Sequence, residues 1–370
     1  LGALSALGTD VAAHYRQVCQ RFVPFRPLRE LLGATSPHAE LPAAWIEDRG
    51  LLTHRKWSPV TAAALHVARQ AVAEAGWTSA ELREAALVVG TSRGNAAGWL
   101  GPWPGRRPFR VMAASNTIHS EPATAISIEF GIAGPSHVLA SGCAAGLDAI
   151  GIAALMLNSG LASRALAVAV DLPLVELLLE NYATSGLLTK DYQLDPYSPL
   201  SRGFVPGEGA AAMALEVGRS AGRTRIVWYA CNSDACDPVG IPRDGGKTSE
   251  LIETATRHLG RPDAICPHAT GTAVQAMADP AALAQLVNHT PMPLHLLKPL
   301  IGHTIGASGL LESVILASFL REGQLPPNLP NLFAPPGFLL PSEITSASCR
   351  VFKLSHGMGG HNALVALARP

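Results

Sequence analysis

The chain has 370 residues, with 28 lysines and arginines balanced by 28 aspartates and glutamates. That balance excludes a global electrostatic pull toward nucleic acid or a membrane surface. Only 15% of residues are charged and 48% are apolar, which describes tightly packed, much-buried elements and excludes a disordered chain.

A chain of this length buries a large core, as one big domain or as two similar halves. Its six cysteines contain no CxxC pair, which fits a reducing compartment better than a disulfide framework or a zinc site. The thirteen histidines include no HExxH, and no metal is expected. No stretch is long and apolar enough to span a bilayer, so cytoplasmic residence is the default expectation.

In chain order, a Gly-punctuated start leads to a helix over residues 10–22, followed by a Pro- and charge-sprinkled segment to residue 50. Residues 58–75 space small and apolar side chains as a helix does, and Ser79 is a candidate cap for a short helix behind it. Ala86-Leu-Val-Val-Gly-Thr reads as a buried strand, and the Gly-Pro-Trp-Pro-Gly-Arg-Arg-Pro run at 101–108 as a loop. A helix over 116–129 leads to a central buried strand at 138–140, then to a long apolar helix. The next strand is expected at 165–170, a long polar loop at 183–203, and a strand return at 204–215.

The best candidate boundary is residues 218–224, dividing the chain into halves 1–218 and 219–370. The second half repeats the grammar of the first. Strands are expected at 225–232, 263–267, 293–297, 349–355 and 362–368, with helices at 248–259, 279–288 and 306–321. Alternating strands and helices in two halves imply an α/β fold built twice.

One stretch, residues 137–158, organises this grammar. Val138 to Ala140 enters a tight turn at Ser141-Gly142, and Cys143 occupies the first turn of the helix that follows. A thiol there meets unpaired N–H groups and the positive end of the helix dipole, which favours the thiolate. Gly142, Ala144, Ala145 and Gly146 allow a substrate or another backbone to come close. The plain alternative is a core cysteine, one of the most buried residue types.

Three later segments concentrate unusual residues at loops or helix starts. They are His268-Ala-Thr270-Gly-Thr272, Lys298-Pro-Leu-Ile-Gly302-His303 with Glu312 beyond it, and His356-Gly357-Met358-Gly359-Gly360-His361-Asn362. Each has a bland reading as a Gly-rich turn, a capping histidine or a surface lysine. Jointly they supply a nucleophile, imidazoles, an ammonium and backbone N–H donors, the set needed for thioester chemistry through a carbanion.

These motifs, with Gly203-Phe-Val-Pro-Gly207-Glu208-Gly209-Ala, resemble the β-ketoacyl-[acyl-carrier-protein] synthase (ketosynthase) family over essentially the whole chain. The likeness begins just after the family's first strand. It implies a thiolase-like fold, a duplicated α-β-α-β-α layered architecture with the cysteine in the first half and the histidines in the second. It also implies decarboxylative Claisen condensation of an acyl group on Cys143 with malonyl-acyl carrier protein, giving a 3-oxoacyl thioester in fatty acid or polyketide (including polyene) synthesis.

By the same resemblance, the N–H groups of Cys143 and Met358 form the oxyanion hole, and His268 and His303 stabilise the enolate. Lys298 and Glu312 are the supporting pair. Thr270 and Thr272 bind the phosphopantetheine arm, which arrives on the carrier protein; the enzyme itself binds no cofactor. Arg55, Lys56, Arg106 and Arg107 are candidates for carrier-protein docking, against a bland reading as solvated charges. Asn362 is read as structural. Dimerisation, homomeric or with a chain-length-factor-type subunit, is expected through residues 111–140, with neither nucleic acid nor membrane as partner.

Several positions depart from the family pattern. The gate loop, residues 356–360, carries His356 and Met358 where the family has phenylalanines, and His361 where it has threonine. Ala276 replaces an aspartate, with Asp279-Pro280 three residues later as though the loop were reshaped. Asp195-Pro-Tyr197-Ser198-Pro-Leu-Ser201-Arg202 loses most of the family's ion pairs. These departures suggest a divergent branch, such as the ketosynthase subunit of a ketosynthase/chain-length-factor pair. The competing reading is a non-catalytic, chain-length-factor-like partner, and the retained Cys143, His268, His303 and Lys298 weigh against it. A non-decarboxylating acyltransferase or hydrolase would not need both histidines and Lys298. Cys266, beside Pro267-His268, is read as a buried strand residue.

Overall fold

A computed structural model of the chain describes residues 1–100, 115–218, 222–287, 290–346 and 350–370. The 101–108 loop, and Arg106 and Arg107 within it, lie outside the described residues. The first half contributes β1 (Gly2–Ser5), α1 (Val11–Cys19), α2 (Pro59–Ala75), α3 (Ser79–Glu84), β2 (Ala86–Gly90), α4 (Glu121–Phe130), β3 (Ser136–Leu139), α5 (Ala145–Asn158), β4 (Arg164–Asp171), α6 (Glu176–Thr184) and β5 (Gly209–Glu216). The second contributes β6 (Arg225–Ser233), α7 (Gly246–Leu259), β7 (Ala264–Cys266), α8 (Ala273–Leu283), α9 (Ser308–Arg321), β8 (Arg350–Gly357) and β9 (His361–Ala368).

The first sheet has the order β1-β5-β4-β2-β3. β1 and β4 run antiparallel to β5, while β2 runs parallel to both β4 and β3. The second has the order β6-β9-β8-β7, with the same alternation of antiparallel and parallel neighbours. A parallel bridge from Ile265 to Leu294 continues it where β3 stands in the first sheet. The duplication inferred from grammar is thus visible as one strand order used twice, and the α/β thiolase-like reading holds.

Strand alternation sorts the side chains into layers. On β4, Leu166, Val168 and Val170 face α2 and α4, while Ala165, Ala167 and Ala169 face the middle of the molecule. On β9, Leu364 and Ala366 face α7, while Ala363, Val365 and Leu367 face the same middle layer. That layer is α5 packed on α9, with Leu147, Ile150, Leu310, Leu311, Val314 and Ile315 all buried. Each such side chain contributes roughly 1.5–3 kcal/mol by burial. The two helices approach at their N-terminal ends, where a methyl on Gly146 would lie 2.9 Å from the Leu310 nitrogen and one on Gly309 2.8 Å from that of Leu147. The small residues beside Cys143 therefore admit another backbone.

Several local expectations are corrected. The start of the chain forms β1, an edge strand held by β5, so the first strand of the sheet is present. Thr78, not Ser79, caps α3, in a reciprocal capping box with Glu81. The strand before Cys143 is a half-exposed edge strand, not a central buried one. The helix expected at 279–288 is α8, which starts directly behind Thr272, whose hydroxyl accepts the Gln275 N–H at 3.3 Å. Asp279-Pro280 looks like a helix start in sequence, but the earlier threonine cap takes that role.

Candidate active site

Cys143 sits in a single 3-10 turn, Gly142–Ala144, between β3 and α5. The backbone of the Gly-rich loop presses against this turn. A methyl on Gly142, whose φ is +60°, would come within 3.5 Å of the Met358 nitrogen. One on Gly357 would lie 2.5 Å from the Ser141 carbonyl oxygen. The geometry therefore brings the Met358 amide beside the cysteine turn.

The thiol is not poised as a thiolate. Burial pushes the Cys143 pKa up to about 11, although the positive charges of Arg93 and Lys298 pull it down. Burial is the largest influence, and its direction is opposite to the one a helix terminus favours.

Two imidazoles are in place. The ligating atoms of Cys143, His268 and His303 all lie within 4.8 Å of one another, and the histidine rings meet edge to face at 5.4 Å. His303 reaches the site because its amide donates to the Val205 carbonyl at 2.7 Å, and its Nδ1 is 3.0 Å from Ser308 Oγ. Burial, then the Lys298 charge, holds both histidines well below the ordinary imidazole range, so both are neutral at pH 7.

Beneath them lies a buried charge bridge. Lys298 Nζ donates to Glu312 Oε1 at 2.7 Å, and Lys353 Nζ lies 2.8 Å from Glu312 Oε2. All three side chains are inaccessible to solvent. Burial opposes the Glu312 carboxylate, but the two ammoniums outweigh it and lower its pKa. Lys353 was not anticipated; its signal is a lysine inside the apolar run Val351-Phe-Lys-Leu. Cys266 is buried with its Sγ 3.6 Å from Glu312 Oε2.

The loop substitutions are built into the site. His356 is buried, not an exposed turn residue, and its ring stacks on His268 with centroids 5.4 Å apart. Gln275 Nε2 lies 3.0 Å from His356 Nδ1 and also donates to Asp279. Asp279 further accepts from the Ala269 N–H at 2.8 Å and from Tyr197 OH at 3.0 Å. It thereby holds Ala269, whose φ is +45°, in a strained conformation. Uncharged donors thus surround the Asp279 carboxylate, with no cation paired to it among the described residues. His361 Nε2 lies 2.8 Å from Asp148 on α5, which also accepts from Ser141 Oγ and from Tyr229 OH. Met358 is exposed, and Asn362 donates to Asn232 Oδ1 within the sheet.

Asp171, at the end of β4, is a second unanticipated clasp. It accepts from Thr91 Oγ1 and from the N–H groups of Ser92, Arg93 and Gly306, at 2.8–2.9 Å. It fastens the loop behind His303, where Ile305 has a φ of +48°. Thr270 and Thr272 lie together, Oγ to Oγ 3.3 Å, with Thr272 also capping α8. Arg55 and Lys56 are exposed, with Lys56 Nζ 4.4 Å from the Trp57 ring centre. Among the described residues, two donor sets are close enough to share an ion: Cys143 with His268 and His303, and Asp148 with Cys231 and His361.

Two family models match the chain: the beta-ketoacyl synthase N-terminal domain over residues 46–221 and the C-terminal domain over residues 223–331. The chain is 26% identical over 359 residues to 3-oxoacyl-[acyl-carrier-protein] synthase 2 of Rhizobium meliloti (strain 1021), covering 88% of this chain and 83% of that one. It is 28% identical over 274 residues to the tetracenomycin polyketide synthase ketoacyl synthase alpha subunit of Streptomyces glaucescens, covering 66% and 62%. Among solved structures, the ishigamide ketosynthase/chain length factor matches with a TM-score of 0.86 at 22% identity, covering 100% of this chain and 97% of that one. A type II polyketide synthase acyl-carrier protein in complex with its ketosynthase bound to the hexaketide matches at 0.85, also at 22% identity, with the same coverage. The structural likenesses speak to the fold.

Proposed function

The chain belongs to the beta-ketoacyl synthase family, the ketosynthases of fatty acid and polyketide synthesis, and from that premise we propose that it catalyses decarboxylative condensation itself. The observation that carries this reading is the convergence of the Cys143 thiol with two neutral imidazoles within 4.8 Å.

In the first step the Cys143 sulfur attacks the thioester carbonyl of an acyl group on a carrier protein. Its proton passes to an imidazole, and the tetrahedral oxyanion is met by the N–H groups of Cys143 and Met358. Collapse expels the phosphopantetheine thiol, which takes a proton. In the second step malonyl-carrier protein binds, with Thr270 and Thr272 facing its phosphopantetheine arm. The bond to the carboxylate breaks, carbon dioxide leaves, and the electron pair becomes an enolate. Neutral His268 and His303 donate hydrogen bonds to the enolate oxygen, favoured by the nearby ammoniums of Lys298 and Lys353. The enolate carbon then attacks the acyl-cysteine carbonyl, releasing the Cys143 sulfur and a 3-oxoacyl thioester two carbons longer.

Residues 1–218 and 219–370 act as the two halves of the synthase, the first supplying the cysteine and the second the histidines. The carrier protein is the partner that the chemistry requires, and Arg55 and Lys56 suit its acidic surface. A dimer partner, a second copy or a chain-length-factor-type subunit, fits the free edge of β3. Ser136 and His137 are exposed there, and Ile118 and Ile128 are exposed on neighbouring segments. Among the described residues, no helix is long and apolar enough to cross a membrane.

The test is intact mass after mixing the protein with acyl-loaded carrier protein, beside Cys143→Ala. A gain of one acyl group that the variant lacks is expected. No gain with several acyl lengths, alone and with a co-expressed homologous partner, would leave the non-catalytic, chain-length-factor-like role instead.

A further inference from the structure

The acyl group that reaches Cys143 must lie among the side chains packed around the thiol. Cys143 packs against a buried apolar cluster of Ala96, Leu178, Tyr182, Phe204 and Ile305, with three further apolar side chains at its margin. Tyr182 sits two ring contacts from the catalytic centre. Its ring meets the edge of Phe204 at 5.6 Å, and Phe204 meets His303 at 5.0 Å. The guanidinium of Arg93 lies 5.6 Å from the centre of the Tyr182 ring. It is also close enough to Cys143 to lower the thiol pKa more than Lys298 does.

Both polar groups are unmatched. Tyr182 OH and Arg93 Nε are buried without a hydrogen-bond partner, and Tyr182 as a whole is only 2% exposed. The guanidinium moderates the raised pKa of the hydroxyl by its charge and by approaching the hydroxyl oxygen as a donor, and the hydroxyl's own hydrogen finds no acceptor among the described residues. No carboxylate among the described residues forms an ion pair with Arg93. The nearest buried candidate, Asp171, is filled by three backbone N–H groups and Thr91 Oγ1. A buried hydroxyl and a guanidinium nitrogen left unpaired cost free energy that packing alone does not return. These two donors beside the nucleophile find no acceptor among the described residues.

We propose that Arg93 and Tyr182 form a receptor for an oxygen acceptor on the acyl chain that Cys143 receives, so that the preferred donor is a 3-oxoacyl or carboxyacyl thioester and not a saturated one. This rests on the condensing reading and names its substrate class. A saturated chain would seat methylene groups against two unpaired donors, whereas an oxygenated chain satisfies them on binding.

The test offers three four-carbon donors on the same carrier protein: butyryl, 3-oxobutyryl and succinyl. The rate of mass gain at Cys143 is followed for each. We expect an oxygenated donor to exceed butyryl by roughly tenfold, the yield of one hydrogen bond to a charged donor. Preference for 3-oxobutyryl would identify a neutral carbonyl as the ligand, and preference for succinyl a carboxylate. Tyr182→Phe and Arg93→Met should each bring the ratio of rates toward one. Because that ratio is taken within each variant, a change in folded fraction cancels. Equal rates for all three donors in the unaltered protein, or a preference that survives both substitutions, would overturn the receptor while leaving the condensing reading intact. Absence of acylation by every donor would overturn both.

Discussion

On the histidine side of Cys143, Glu312 joins Lys298 at 2.7 Å and Lys353 at 2.8 Å, and Asp279 gathers Gln275, Tyr197 and the Ala269 amide. Elsewhere around Cys143, Arg93 Nε and Tyr182 OH are buried and find no acceptor among the described residues. The two regions share one sulfur and one low-dielectric interior, and they handle polarity in opposite ways. Partnered charges fix positions and bias protonation. Unpartnered ones leave a binding requirement open. On the proposed reading, the contrast separates groups that would serve the chemistry of any acyl chain from groups that would choose among chains.

The largest effect should follow from breaking the partnered side. Glu312→Ala leaves two buried ammoniums facing each other, and removal of one partner from such a bridge costs about 3–5 kcal/mol. Urea unfolding should show a loss of that order. A loss near zero would mean that water or other groups already balance the lysines.

A sharper comparison uses one atom on each side. Tyr197→Phe deletes a hydroxyl that donates to Asp279, and should destabilise by about 1–2 kcal/mol. Tyr182→Phe deletes a hydroxyl with no partner, and should be neutral or stabilise by about 1 kcal/mol. The melting temperature should therefore fall for Tyr197→Phe and hold or rise for Tyr182→Phe. Movement together, downward, would mean that Tyr182 OH is bonded in solution and that the contrast is false.

The smallest effect concerns the Gly-rich loop. The hydrogen bond to Asp148, against the cost of burial, raises the His361 pKa above its ordinary 6.5. The folded chain therefore keeps this proton after the unfolded chain has lost it. The tether's contribution is whole below pH 6.5 and fades as pH rises through the raised value. The buried His14, His268, His303 and His356 act oppositely, because their lowered pKa values withdraw stability as pH falls. The effect must therefore be read as a difference between the unaltered protein and His361→Gln. The gap in urea midpoint should be wider near pH 5.5 than near pH 8.5. A gap independent of pH would reduce the contact to a neutral hydrogen bond.

Much of the site was legible because it is written in contiguous motifs. Cys143 follows a strand and a Gly turn, His268 follows a strand end, and His303 follows Lys298 and Gly302; each is a local arrangement of chain direction and turn chemistry. Asp279 was noticed but not interpreted, because its ligands at residues 197 and 269 lie far along the chain or out of register with any helix pattern. Lys353 and Asp171 stood out only as charges in or at the end of apolar strands. The burial of His356 was not legible, because a histidine beside a Gly-rich turn shows nothing in sequence of the His268 ring it stacks on.

By itself the sequence determined the α/β grammar and the family resemblance, and it singled out Cys143, His268 and His303 as the residues proposed for the chemistry. Periodicity, turn residues and motif spacing are properties of neighbours along a chain. The tertiary structure alone decided that burial raises the Cys143 pKa, that Glu312 carries two lysines, that β3 is a sheet edge among the described residues, and that Arg93 Nε and Tyr182 OH are buried without an acceptor. Desolvation and hydrogen-bond satisfaction depend on which distant segments close over a group. Linear spacing contains no information about that closure.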